Sequence, residues 1–505
     1  MKKKTKIFLY TITGIILLSL ILFGLNNFAE EKLKKGIQDT SSQINLKYEE
    51  LEVNLLSREA ALESLSFSLN GKSFKAEKLS LKNIKIFKYL TDNDLEIGEL
   101  TLESPSFIFN KNKKSKSSGD SSSSRFKENI LVKNLQIKNG DLAMVENDSA
   151  ANSLYAKFSY LEILDFQLDS SSVNNKIPFD FKDYVFKGDS LFYKLDPRHN
   201  ISLGAFNIEE GHAVLNDFRI NPVYGKQEFQ QHIPHELDRF ELTIEEVNFS
   251  NLKWKFANDS LSIENPLTQI KNANLKVYRD KLQPDDTRRK KMYSEMIRQL
   301  PVKLKLDTIR LTNTYIRYEE LMNSDRSPGV VDFSTLSASI YNLSNKNMQA
   351  EDFKSTEVDV KTMFMQEAHL KVNWEFNIQN KNDRFNISGN MDRISEEAMN
   401  RFMKPAMNVL AKGSIEDMSF NYSGNHTEAI GDMSLVYKDF KVEVLREDGE
   451  RKNKFLSALA NLIMNNDAIS EDVRQKQLEV TRDKTRSFWN YLWKMIRAGA
   501  LKSFF

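Results

Sequence analysis

The sequence predicts a mainly β protein: a long, strongly curved antiparallel sheet forming a trough, with an N-terminal transmembrane helix and C-terminal amphipathic helices. Three observations predict it. Short bursts of alternating apolar and polar residues recur through most of the 505 residues. An uncharged apolar run from Ile7 to Leu25 follows Lys2, Lys3, Lys4 and Lys6. Apolar residues at helical spacing are confined to a few stretches, chiefly beyond Ser395.

Residues 1–28 read as cytoplasmic lysines and a membrane anchor. At about 1.5 Å per residue the apolar run just spans roughly 30 Å of hydrocarbon, and the lysines hold the N-terminus in the cytoplasm. A cleaved signal peptide is the alternative, but the run exceeds a usual signal core, and Phe23 to Lys32 contain no small-x-small site.

Residues 29–110 read as an N-terminal β module. Leu51, Val53 and Leu55 share a strand face, as do Leu65, Phe67 and Leu69, Leu79 and Leu81, Ile84 and Ile86, Leu100 and Leu102, and Phe107 and Phe109. Asn70-Gly71 is a hairpin dipeptide, and Pro105 fits an edge or a strand start, where a missing N–H is tolerated. Residues 111–125 include "KNKKSKSSGDSSSS", which has no apolar residue and predicts a disordered linker.

Residues 126–390 form the central body. Phe240, Leu242 and Ile244 alternate cleanly, as do Val302, Leu304 and Leu306, and the one-residue phase shifts that follow predict bulges or turns rather than helix. Leu242, Ile244, Val247, Phe249, Trp254, Leu304 and Leu306 are the candidates for lining an apolar groove. Gln283 to Leu300, with Pro284 near its start and five basic residues from Arg288 to Arg298, predicts a helical surface excursion. No strict repeat period emerges.

Residues 391–450 continue the β pattern around a helix predicted over Ser395 to Leu410. Ser395 is its cap, Pro405 its kink and Gly413 follows its end. Residues 451–505 supply helices at Phe455 to Met464 and Ser487 to Phe505. In the last, Trp489, Leu492, Trp493 and Ile496 define an apolar stripe beside Arg486, Lys494, Arg497 and Lys502. That composition suits an interfacial helix or a cap on the sheet's open end, and the cap is preferred because amphipathic helices pack onto protein more often than onto lipid.

Composition excludes more than it assigns. Seventy-two basic against seventy acidic residues leave +2 and no field to recruit nucleic acid. Without cysteine there is no disulfide, thiol nucleophile or thiolate metal site. His232 and His235 beside Glu236 are the one tight histidine pair, but Pro234 lies between them and no third ligand is signalled, so a solvated loop is expected and no metal. No nucleophile elbow, phosphate loop or zinc-protease motif occurs, so neither an enzyme nor a cofactor is expected. The remaining feature is the apolar face. A sixteen-carbon chain costs on the order of 10 kcal/mol to expose at about 0.8 kcal/mol per methylene, so lipid moving between membranes needs an apolar lining.

The anchor and "LEIGELTLESPSFIF" (Leu95 to Phe109) resemble the start of the AsmA-like proteins of Gram-negative envelopes, relatives of chorein-type bridge-like lipid-transfer proteins. "ISEEAMNRFMKPAMNVLAKGSIEDMSFNYSGN" (Ile394 to Asn425), "GDMSLVYKDFKVEVL" (Gly431 to Leu445), "ANLIM" and "SFWNYLWKMIRAGALKSF" resemble their C-terminal part, while the central strands match in style only. The resemblance implies a chorein-like first module in an inner-membrane protein with a periplasmic β trough, binding phospholipid acyl chains, and it carries no catalytic residues. The alternatives are an assembly factor for outer-membrane biogenesis that conducts no lipid, and an envelope enzyme with a dispersed site. Roughly twenty to twenty-five strands at about 4.8 Å give a trough on the order of 100 Å, too short for the periplasm, so a partner at the distal end, or delivery of lipid only part of the way, is expected.

Overall fold

The structure, a computed structural model, describes residues 47–54, 57–69, 72–85, 94–110, 129–146, 152–172, 177, 179–257, 260–446 and 478–504. The predicted anchor, the Asn70-Gly71 turn, the linker and the helix at Phe455 to Met464 lie outside the described residues. Among the described residues no helix is long and apolar enough to cross a membrane.

Among the described residues, 21 strands make up one mixed sheet. Among the described residues the helices are few: α1 (Lys226–Gln231), α2 (Tyr293–Arg298), α3 (Glu396–Phe402), a π-helical turn at Met403–Met407, and α4 (Phe488–Phe504). The chain divides into two compact units. One comprises residues 1–195, 201–216 and 256–259, the other 196–200, 217–255 and 260–505.

Strands β1 to β11 fall between Glu50 and Pro222, among them β3 (Lys72–Lys82), β4 (Asp94–Glu103), β5 (Ser106–Asn110) and β6 (Asn129–Val145). The alternating residues of the first unit build a sealed core, in which Leu65, Phe74, Leu79, Ile97, Ile130, Val132 and Leu168 are at most 1% exposed. The purely antiparallel expectation fails here. Strands β4 and β5 each pair antiparallel with β3 and parallel with β6. They are two halves of one interior strand, broken at Ser104, whose φ is 48°. Pro105 therefore opens β5 inside the sheet rather than at its edge, and the break absorbs its missing N–H.

The second unit holds β12 (Arg239–Ala257, to Lys255), β13 (Ser260–Asp280), β14 (Lys303–Leu321), β15 (Gly329–Ser344), β16 (Thr356–Phe364), β17 (Ala368–Phe376), β18 (Phe385–Met391), β19 (Val409–Gly424), β20 (Glu428–Val444) and β21 (Leu478–Thr481). Ion pairs Asp238–Arg279, Glu241–Lys276 and Glu246–Lys271 lay β12 antiparallel along β13. From β14 to β21 each neighbouring pair is antiparallel.

Left-handed kinks interrupt the long strands, beyond the predicted phase shifts that follow Ile244 and Leu306. Asn251, Asn272, Asn313, Thr335 and Asn342 all have φ between 49° and 58° inside strands. Asn313 Nδ2 donates to Asn272 Oδ1 at 2.7 Å, and Asn272 Nδ2 to Glu245 at 2.6 Å, so the kinks line up across strands. Four of the five are asparagine, the side chain best able to tolerate this conformation. On β14 the exposed positions run Lys303, Lys305, Asp307, then Arg310, Thr312 and Asn313, so the parity changes before the kink, and the register with β15 shifts between Leu311 and Thr314.

Strands β13 and β14 are parallel, from Ser262 beside Lys303 to Asp280 beside Leu321. That pairing corrects the second antiparallel expectation and explains why Gln283 to Leu300 is not one helix. The twenty-two residues 281–302 must return along a strand about 60 Å long at roughly 3.3 Å per residue. An eighteen-residue helix covers only about 27 Å. The crossover is consequently extended, with helix only at Tyr293–Arg298. It is no surface excursion either, since Met292 is 3% exposed within the core of this unit.

The helix predicted over Ser395 to Leu410 is likewise shorter. Ser395 caps it as expected, accepting from the Ala398 N–H. Beyond Phe402 a π-helical turn containing Pro405 ends at Asn408, whose φ is 58°, and Val409 and Leu410 begin β19. Gly413, at φ 78°, kinks that strand instead of ending a helix.

Candidate functional site: an apolar floor and the helix that dams it

The strand registers carry apolar residues across the second unit in continuous rows. One row runs Ile270, Leu311, Ala338, Val360, Val372, Gly389, Phe420, Met433, each beside the next on the adjacent strand. A parallel row runs Thr268, Ile309, Ile340, Val358, Trp374, Ile387, Tyr422. Gly389 belongs in the first because the Phe420 ring lies where a Cβ would stand, at 2.5 Å. Cover over this floor is uneven. Ile270, Leu311, Val360, Val372 and Trp374 stay half-buried among buried Thr268, Ile309 and Ala338, while Phe420, Tyr422 and Met433 are 7%, 1% and 2% exposed.

The opposite face is polar. Glu357, Asp359, Lys361, His369, Lys371, Asn373 and Glu375 are all exposed, as strict alternation requires. A depression of about 260 Å³ on this side is lined by Glu357, Asp359, Asn373, Glu375, Asn386 and Asn421. Asn373 already donates to Asp359 there at 2.6 Å. Among the described residues no group of three His, Asp or Glu side chains is placed to hold a metal.

The seven groove candidates lie on β12 and β14. Leu242, Ile244, Phe249, Trp254, Leu304 and Leu306 are half-buried and Val247 is buried. Strand β13 separates the two sets. Leu304 stands beside Ile263, and Leu306 lies between Asn265 and Leu343. Asn265 is a buried polar residue at this end, satisfied by Ser250 O and Thr268 Oγ1, each at 2.8 Å. Sequence reasoning left Val358, Val360, Val372 and Trp374 out of the candidates, although the alternation of "TEVDVKTMF" and "AHLKVNWEF" was there to find them.

Two helical segments flank the floor at opposite ends of the strands. At one end Arg298 of α2 pairs with Asp383 at 2.8 Å and donates to Ile378 O, and Ser294 donates to the same carboxylate at 2.8 Å. At the other end Arg401 of α3 forms an ion pair with the fully buried Asp332, and Asn400 exchanges two 2.8 Å bonds with the Ala411 backbone. The crossover is pinned further by Glu236, a buried carboxylate paired with both Lys281 and Arg486. In the loop holding His232 and His235 both histidines are exposed, while Ile233 and Glu236 are buried. His232 stacks on Tyr224 with centroids 3.7 Å apart, and Glu236 is committed to ion pairs.

Helix α4 lies over the far end of the floor. Phe488, Tyr491 and Met495 are 2%, 1% and 0% exposed, and the Tyr422 hydroxyl donates to the Met495 carbonyl at 3.1 Å. Burial pushes the Tyr422 and Tyr491 phenols well above the usual tyrosine range, so both remain neutral donors. A Cβ on Gly499 would meet the Met433 sulfur at 2.6 Å and the Tyr422 hydroxyl at 2.7 Å, so only glycine permits this approach. The expected stripe is rotated. Leu492 and Ile496 are half-buried, but Trp489 and Trp493 are 55% and 43% exposed. With aromatic or aliphatic residues nearly all round the helix, spacing alone did not single out the buried face. Trp489 donates its indole N–H to the Tyr293 hydroxyl at 2.8 Å and sits 6.1 Å from Trp374, while Trp493 meets Phe402 at 6.0 Å. The helix edge bearing both tryptophans therefore looks onto β17, between α2 and α3.

Compared with protein-family models and with curated proteins, the sequence finds no match.

Proposed function

We propose that the chain is a non-enzymatic lipid-binding or lipid-transfer protein of the AsmA-like type, which shields phospholipid acyl chains in an apolar β groove. In this reading the N-terminal apolar run anchors it in the inner membrane with the bulk in the periplasm, the sheet curves into a trough, and a distal envelope partner completes the route. The observation that carries the reading is the floor of β12 to β17, where most apolar side chains stay half-buried although Val247, Ile309 and Ala338 are buried. A strand pattern that ordinarily seals a core, as it does in the first unit, leaves its apolar side chains partly uncovered here. A flexible alkyl chain suits a continuous apolar strip without convergent polar groups.

Native mass spectrometry of the full chain, extracted in mild detergent, tests this. The expected result is co-purifying phospholipid, reduced when Ile244 or Leu304 is replaced by aspartate. A lipid-free protein that remains folded would sink the proposal.

A further inference from the structure

Resting on that reading, we infer that the apolar floor has a terminal holding site for one anionic glycerophospholipid, where β16 and β17 run into helix α4. Three features converge there. The floor beneath is Val358, Val372 and Trp374, half-buried on strands whose other face is uniformly polar. The end wall is α4, firmly packed through Phe488 and Met495, so a chain sliding along the floor stops against it. The edge of that wall presents Trp489 and Trp493, large aromatics left exposed although each touches a flanking helix.

Charge selects the occupant. Residues 487–505 contain Lys494, Arg497 and Lys502 and no acidic residue. Exposed Arg497 is one turn beyond Trp493 on the same line, where the phosphate of a lipid with its chains on the floor would sit. Tryptophan at such a junction places an apolar ring on the chains and tolerates a wet headgroup. Because α4 is anchored in the core, lipid leaves this site sideways past the tryptophan edge, not over the helix.

The test uses the full chain in cells grown with radiophosphorus. Phe249, Val372, Trp493 and, as the polar-face control, Lys371 are exchanged one at a time for p-benzoylphenylalanine, and adducts are read after irradiation. The expected result is labelled phospholipid at Phe249, Val372 and Trp493 and none at Lys371. Arg497→Glu should lower the Trp493 adduct about three- to fivefold, the scale of one exposed charge pair, with the Phe249 adduct unchanged, and Arg497→Lys should restore it. Adducts at Phe249 and Val372 without one at Trp493 would overturn the terminal site and leave the groove standing. Adducts at none of them would remove the groove itself. A Trp493 adduct containing the chain's own residues 7–25 would show that the anchor occupies the site. A lipid adduct at Trp493 that is unchanged by Val360→Asp, or by Val372→Asn if the first misfolds, would mean that the helix touches a membrane surface. Either result overturns the inference.

Discussion

The indole of Trp374 on β17 stacks against the ring of Phe488 on α4, with centroids 4.8 Å apart and planes 13° from parallel. Phe385 meets Phe488 edge-on at 5.3 Å, and Tyr293 does so at 6.0 Å. One ring thus ties the helix to the floor and to the crossover. Phe488→Ala should cost about 3–5 kcal/mol, the range for truncating a buried phenylalanine, and should accelerate amide exchange through α4. Trp489→Ala and Trp493→Ala, at exposed positions, should each cost less than about 1 kcal/mol. Equal losses for all three would mean that the helix is not docked by its Phe488 face.

The difference in cover along the floor predicts a difference in tolerance. Ile244→Asp and Leu304→Asp place a carboxylate on half-buried strands where water reaches it, and should cost about 1–3 kcal/mol. Met433→Asp buries the same charge beneath α4 and should cost more than about 4 kcal/mol. Urea denaturation followed by circular dichroism compares them directly. If Ile244→Asp and Leu304→Asp unfold the protein as completely as Met433→Asp does, the floor is a closed core.

Much of this was legible in the sequence, for a local reason. Alternation at Leu65, Phe67, Leu79 and Leu81, or at Val302, Leu304 and Leu306, reports a half-buried strand whatever its partner. The parity changes after Ile244 and Leu306 were visible too, but the left-handed kinks at Asn251 and Asn313 lie several residues beyond them and were not. What failed was set at long range. Parallel pairing of β13 with β14 is invisible in either strand, yet it decides that residues 281–302 stay extended where local propensity favoured helix. Pro105 was read as an edge or strand-start residue and does stand at a strand start, but nothing near it reveals that β3 and β6 flank the break. In α4 the tryptophans were the obvious apolar residues. Burial went to Phe488 and Tyr491, which meet Phe385, and to Met495, whose carbonyl accepts from Tyr422.

The crossover should respond to acid. The Asp286 carboxylate is held well below the usual range by hydrogen bonds from the Arg288 guanidinium and the Lys290 ammonium. A carboxylate whose pKa is lower folded than unfolded stabilises fully above its unfolded value, about 3.9, and that contribution disappears as pH falls toward the folded value. Wild type should therefore exceed Asp286→Asn by about 1 kcal/mol at both pH 7 and pH 5, since the exposed Arg288 partner keeps the pair weak. The gap should narrow below about pH 4. Denaturation midpoints at pH 7, 5 and 3 check the sign, and a gap that widened on acidification would refute it.

Deleting Ser487 to Phe505 separates two roles of the last helix. If α4 only recruited a membrane or a partner, its loss would leave a soluble, protease-resistant body. The structure places Tyr422, Met433 and Phe385 beneath it, at 1%, 2% and 3% exposure, and all three would be left uncovered. Exposing three large side chains forfeits several kcal/mol at about 25 cal/mol per Å² of apolar surface and creates a contiguous apolar patch. The truncated chain should keep its β-sheet circular dichroism, bind a hydrophobic dye strongly and self-associate. The Trp489→Ala, Trp493→Ala double variant should do neither of the last two and lose only lipid. A truncated protein that stays monomeric and dye-silent would show that α4 is not a cover, and the inference of a dammed floor would fall with it.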